Sequence, residues 1–205
     1  MKQRKNKKVV VYIHGLHGSA VEAEEYNFLK EEYDVVGLNY VDGNPWELKD
    51  TIRNAYEKLV KNYDEVIVIA NSIGAFYAYE YLSDYKINQA FFIFPITDMS
   101  QIIFNKMMSE GMHHNELEEK KFITCEDGTV LSFEFYQYVS NCKNNWEVQT
   151  DILFGEYDEV VPIENIVNFL VTHPKAKLTI KKGAGHYFHT PNEKKFIKEW
   201  ILRNL

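Results

Sequence analysis

The 205-residue sequence holds only two cysteines, Cys125 and Cys142. Two thiols in a chain of this length do not make the disulfide framework of a small secreted domain. Basic charge is not in excess either: 23 Lys+Arg stand against 30 Asp+Glu, a net charge of −7. Neutralising phosphates needs a basic face, so nucleic acid is not an expected partner. No apolar run approaches the ~18 residues of a membrane span. Lys2, Arg4, Lys5, Lys7 and Lys8 precede an apolar run in the manner of a signal peptide. That run is short, stops at His14-Gly15 and leads to no small-residue cleavage site. A cytoplasmic location is therefore expected. Also missing are the G-x-G-x-x-G and G-x-x-x-x-G-K spacings, which leaves no dinucleotide or P-loop role and no expected cofactor.

What is present is ordinary globular composition, with 45% apolar and 26% charged residues. The length suits one domain with room for an insertion, able to bury roughly 70% of its unfolded surface. Six short apolar runs read as strands: Val9–Ile13, Asp34–Asn39, Glu65–Ala70, Gln89–Phe94, Thr150–Phe154 and Lys177–Ile180. Most are apolar on both alternating positions, as strands covered on both faces must be. Helical periodicity fills the gaps. Asn44-Pro45 precedes a repeat of Leu48, Ile52, Ala55, Tyr56 and Leu59, and Pro162 and Pro191 open two more helices. Ser19 and Glu22 fit a capping box ahead of Ala23 and Tyr26. This alternation predicts a doubly wound, mostly parallel six-stranded sheet flanked by helices. One connection, Pro95 to Gln149, is far longer than the rest at about 55 residues. Met99–Glu110 and Leu131–Asn141 read as helices within it, with Asp127-Gly128 as a turn between them. Residues 97–148 are read as a small, mainly helical cap inserted into a single domain, residues 1–205.

Ile69-Ala70-Asn71-Ser72-Ile73-Gly74-Ala75 directly follows an apolar strand and opens an apolar helix. A turn sharp enough to project a serine above a sheet edge needs small residues two before and two after it, and Ala70 and Gly74 supply them. Taken alone, the segment reads equally as a tight βα turn with Ser72 as an N-cap. Two partners shift the balance. The fifth strand runs into Gly155-Glu156-Tyr157-Asp158, placing a carboxylate past its end, and the sixth runs into Gly183-Ala184-Gly185-His186, placing an imidazole past its own. Serine is a poor nucleophile at its ordinary pKa and needs a base within hydrogen-bond reach. His186 would take its proton, and Asp158 would fix the ring's tautomer and stabilise the imidazolium. His14-Gly15-Leu16-His17-Gly18 follows the first strand, where glycines free backbone N–H groups to face a cavity. The N–H groups of Leu16 and Ile73 are the expected pair for a tetrahedral oxyanion.

With these four segments in hand, the chain resembles an α/β-hydrolase. The resemblance rests on the His14-Gly15 loop, the Ala70-x-Ser72-x-Gly74 elbow, the Gly155-x-x-Asp158-x-x-Val161-Pro162 acid loop and Gly185-His186, in the family's Ser…Asp…His order across residues 9–190. It implies a spatial strand order of 2-1-3-4-5-6 in local numbering, beginning at the family's third strand, with the site where that order reverses. Ala70 and Ala75 stand where the family commonly has Gly, and Asn71 where it has His, Gln or Tyr. A serine nucleophile implies hydrolysis of esters, thioesters or amides, and the small size and short cap favour carboxylic esters of small to medium acyl groups, the substrate being a small molecule. A peptidase or thioesterase on the same triad, or a non-catalytic ligand-binding relative, are the alternatives.

Other residues compete for roles. Asp98 also follows a strand end and is the rival acid; His189 is the rival base. Glu156 and Glu159 read as solvated loop carboxylates. Adjacent His113-His114 rarely face one ion, so no metal is expected. His17, at the site mouth, and Met107 and Met108, in the apolar cap, are the candidate substrate-binding residues, since pockets are lined mainly by apolar side chains.

Overall fold

A computed structural model describes residues 7–41, 43–113, 115–142 and 145–205. Among them, six strands form one parallel sheet: β1 (Lys8–Ile13), β2 (Asp34–Gly37), β3 (Glu65–Asn71), β4 (Gln89–Ile93), β7 (Thr150–Gly155) and β8 (Ala176–Lys181). Their order is β2-β1-β3-β4-β7-β8, every pair parallel. This is the expected order, and each expected strand lies within a residue or two of its place. β1, β3, β4 and β7 are buried almost end to end, because their β-branched and aromatic side chains serve both faces of a sheet covered on both sides. Register splits them into two cores. Val9, Val11, Val68, Ala70 and Phe92 face one helical layer, whereas Val10, Tyr12, Ile67, Ile69 and Phe91 face the other.

The first layer contains α1 (Pro45–Val60), α2 (Ile73–Tyr81) and α6 (Ile163–Thr172); the second contains a 3-10 helix (Ala20–Leu29) and α7 (Pro191–Asn204). The segment after Ser19 thus winds more tightly than its helical pattern implies. Its start is still tied as expected, the Ser19 N–H donating to Glu22 Oε1 at 3.0 Å. Gly37 lets it close on β2, for a Cβ there would run into the Ala20 backbone carbonyl. α7 opens with the reciprocal contacts of a capping box between Thr190 and Glu193.

The β4–β7 connection holds α3 (Met99–Ser109), a short α4 (Glu116–Lys120), the antiparallel hairpin β5 (Phe122–Thr124) and β6 (Val130–Ser132), and α5 (Phe133–Ser140). The hairpin is an addition to the mainly helical reading, and Asp127-Gly128 is indeed its turn, with Gly128 at φ +84°. α3 packs on α5, and Ile103, Met107, Leu117, Leu131 and Val139 join the core that faces α2. No helix among the described residues is long and apolar enough to cross a membrane.

Candidate active site

The chain leaves β3 at Asn71 and enters α2 at Ile73, so Ser72 takes the whole reversal, at φ 50° and ψ −121°. A non-glycine residue there is strained by about 1–3 kcal/mol and persists only where its surroundings hold it. Here the end of β4 does so: Ser72 N–H donates to the Ile93 carbonyl at 3.1 Å, and Ile96 N–H donates to the Ser72 carbonyl at 3.1 Å. Gly74 lets the first turn of α2 lie on the end of β1, since a Cβ would fall 2.5 Å from the carbonyl oxygens of both Ile13 and His14. Asn71 faces the opposite layer, donating to Tyr12 Oη at 2.9 Å, while Tyr12 donates to Glu22 at 2.7 Å. Burial first, then Tyr26 and Glu22 nearby, raise the Tyr12 phenol well above its ordinary pKa, so it remains a donor.

Asp158 and His186 emerge from adjacent strands, β7 and β8. Gly155 is what lets their loops touch, because a Cβ on it would strike the Gly185 carbonyl. The Asp158 carboxylate accepts from His186 Nδ1 at 2.8 Å (Oδ2) and 3.0 Å (Oδ1). Its Oδ1 also accepts the N–H groups of Val160 at 3.0 Å and Val161 at 2.8 Å. With its proton on Nδ1, the imidazole presents a bare Nε2 to the Ser72 hydroxyl, 3.0 Å away. The three side chains, far apart in sequence, meet at one sheet edge. They are also largely shielded from solvent, with Ser72 8% and His186 1% exposed.

The loop after β1 that faces the elbow is equally built from backbone. Gly15 abuts the elbow, the direction of its absent Cβ ending 3.4 Å from Ser72 Cβ. Ile73 is the first residue of α2, where an N–H has no carbonyl one turn back. Neither its N–H nor that of Leu16 donates to a carbonyl among the described residues. The loop is fastened by His14, whose buried ring stacks on Tyr40 at 3.9 Å, while Tyr40 Oη donates to the His14 carbonyl at 2.5 Å.

Several sequence expectations resolve differently. Glu156 and Glu159 are not merely solvated: Glu156 accepts the Gly183 N–H at 2.8 Å and Glu159 the His186 N–H at 3.2 Å, so both hold the loop that carries the imidazole. Asp98 is committed elsewhere, capping α3 by accepting from Gln101 N–H at 3.0 Å and Ser100 Oγ at 2.6 Å. His189 is exposed and turns Nδ1 to the Tyr187 carbonyl. Met107 is buried inside the β4–β7 connection, whereas Met108 is 42% exposed; His17 is exposed at φ 59°. Phe94 escaped notice in the sequence, yet at φ 40° it sets its ring 5.0 Å from that of His186. No motif announces such a residue.

His114 lies outside the described residues, and His113 donates its N–H to Glu116 at 2.8 Å. Glu110, Cys125 and Asp127 bring possible metal-ligand atoms within 4.8 Å of one another. The Lys106 ammonium already pairs with both carboxylates of that cluster, 2.6 Å from Glu110 and 2.9 Å from Asp127. Hydrogen bonding from Lys106 holds the Asp127 carboxyl down at about 2.

No protein-family model and no curated protein matches this sequence. Solved structures do match in shape. Est1E from Butyrivibrio proteoclasticus superposes with a TM-score of 0.76 at 16% identity, over 98% of this chain and 90% of that one. Alpha/beta hydrolase domain-containing protein 10 from mouse gives 0.75 at 15% identity, again over 98% and 90%. The Pyrococcus furiosus esterase Pf2001 gives 0.63 at 18% identity, over 97% and 81%.

Proposed function

We propose that this chain, which has the α/β-hydrolase fold, is a serine hydrolase cleaving carboxylic esters of small to medium acyl groups. The observation that supports this reading is the continuous relay from Asp158 to His186 Nδ1 and from Nε2 to Ser72 Oγ. Esterases among the structures of like shape agree with it.

On this reading Ser72 Oγ attacks the ester carbonyl while its proton passes to His186 Nε2. The imidazolium so formed is stabilised by Asp158, which stays ionised. The developing oxyanion lies against the N–H groups of Leu16 and Ile73, and each such donor contributes about 3–4 kcal/mol in comparable sites. His186 returns the proton to the departing alkoxide, leaving an acyl group on Ser72. A water then attacks the acyl carbon, giving its proton to Nε2, and collapse releases the acid and restores the hydroxyl. The balance needs only ester and water. Residues 97–148 act in this proposal as a small cap inserted into the domain, and the low exposure of Ser72 and His186 means that substrate entry requires part of their surroundings to move.

A fluorophosphonate probe tests the proposal directly. It is expected to label Ser72 and to leave Ser72→Ala unlabelled, with p-nitrophenyl acetate hydrolysis lost in parallel. Folded wild-type protein that neither takes the probe nor turns over any p-nitrophenyl acyl ester refutes it.

A further inference from the structure

Away from the triad, a groove of ≈ 650 Å³ lies between α1, α2 and α5. That volume falls within the range of small-molecule sites, about 300–1,000 Å³. Trp46 and Tyr138 form its aromatic flank, half-buried with ring centroids 5.9 Å apart and edge to face. Around them stand Lys49 from α1, Glu80 from α2, and Glu134 and Gln137 from α5. Glu134, Gln137 and Tyr138 share one face of α5, at helical spacing. The Trp46 indole N–H, the Lys49 ammonium, the Glu134 carboxylate and the Gln137 amide have no hydrogen-bond partner among the described residues. Donors and acceptors are therefore both at hand beside an aromatic surface.

We propose that this groove binds a neutral saccharide. Lys49 is the single cation among the described lining residues, too few charges for a phosphate, and its ammonium stands against a polyamine. A lining this polar selects against an acyl chain, and the described lining residues lie on or just beyond helices, with no strand among them for a peptide to extend. A sugar ring satisfies what remains: its C–H face covers an aromatic side chain, and its hydroxyls both donate and accept. Glu80 stands eight residues after Ser72, so at 1.5 Å per residue the groove lies about 12 Å from the nucleophile along α2. The inference is independent of the esterase reading, since binding needs no turnover.

Tryptophan fluorescence reports on it cleanly. Trp146 and Trp200 are 4% and 3% exposed, leaving Trp46 as the indole a groove ligand can reach. Titration of the whole protein with xylotetraose or maltotetraose is expected to give a saturable change below about 10 mM, a range that detects even a millimolar complex. Trp46→Phe removes the signal. Gln137→Ala and Lys49→Ala, which alter exposed or half-exposed groups, weaken calorimetrically measured affinity at least fivefold, while Ser72→Ala leaves it unchanged. The proposal is overturned if neither saccharide saturates, if Gln137→Ala binds as wild type does, or if spermidine or phytate binds there instead.

Discussion

Replacing Asp158 by Asn exchanges one oxygen for an amide nitrogen, and this geometry dictates which one. Oδ1 accepts two backbone N–H groups, from Val160 at 3.0 Å and Val161 at 2.8 Å, and only the amide oxygen can remain there. The NH₂ group is driven to the Oδ2 position, 2.8 Å from His186 Nδ1. A donor facing Nδ1 forces the ring's proton onto Nε2, where it points at Ser72 Oγ and leaves no base. A comparable inversion in a serine protease costs about 10⁴ in kcat, equivalent to about 5.5 kcal/mol of barrier. A loss of that size is expected for Asp158→Asn in p-nitrophenyl acetate hydrolysis, read above a Ser72→Ala baseline. Because the backbone contacts survive, its melting temperature stays within a few degrees of wild type. An Asn variant retaining activity within tenfold of wild type refutes the relay as drawn; one that unfolds refutes the claim that Oδ1 keeps its backbone partners.

Gly74→Ala places a Cβ 2.5 Å from two immovable carbonyl oxygens, lifting α2 off β1. It is expected to cost about 1–3 kcal/mol in denaturant unfolding and to reduce fluorophosphonate labelling at least tenfold. Cys142 has its thiol pKa pushed up to about 12 by burial and by nearby Glu80. At pH 8 about one thiol in 10⁴ is then ionised, against about a quarter for an ordinary cysteine, so alkylation by iodoacetamide should run about three orders slower than for glutathione. Mass spectrometry showing comparable rates counts against that environment. Lys106 holds the Asp127 carboxyl at about 2, below its ordinary value near 3.9. The folded pKa is the lower one, so the stabilisation is present above about pH 4 and is lost as pH falls toward 2. Lys106→Met should flatten that stretch of the melting-temperature profile, and the more so at low salt.

The sheet was legible because burial on both faces leaves runs of Val, Ile and Phe that no amphipathic helix would carry. The convergence of Ser72, Asp158 and His186 followed from topology alone: each comes just after a strand, and the parallel strands that share a sheet end on one edge. β5 and β6 were hidden because three residues each are too few for alternation to register, and Phe122 and Val130 are exposed rather than core-facing. Met107 and Met108 illustrate a finer limit. Neighbours on a helix point about 100° apart, so composition names both while only the packing of α3 on α5 selects which one is buried.

The acid and base loops carry the least legible part of the site, and the reason is physical. An acidic stretch such as Glu156-Tyr157-Asp158-Glu159 is generically solvated, and nothing in its composition says which carboxylate turns inward. That choice is made when Gly155 allows the Gly185 backbone to approach. Once the loops touch, the N–H groups of Gly183 and His186 require acceptors, and Glu156 and Glu159 supply them. Asp158, between the two, is left to take Nδ1 and the N–H groups of Val160 and Val161. Three carboxylates thereby divide the work of seating one imidazole. The division depends on two glycines for a steric reason: enlarging Gly155 would separate the loops and take from all three carboxylates their partners on the imidazole's loop, leaving Asp158 only the N–H groups of Val160 and Val161.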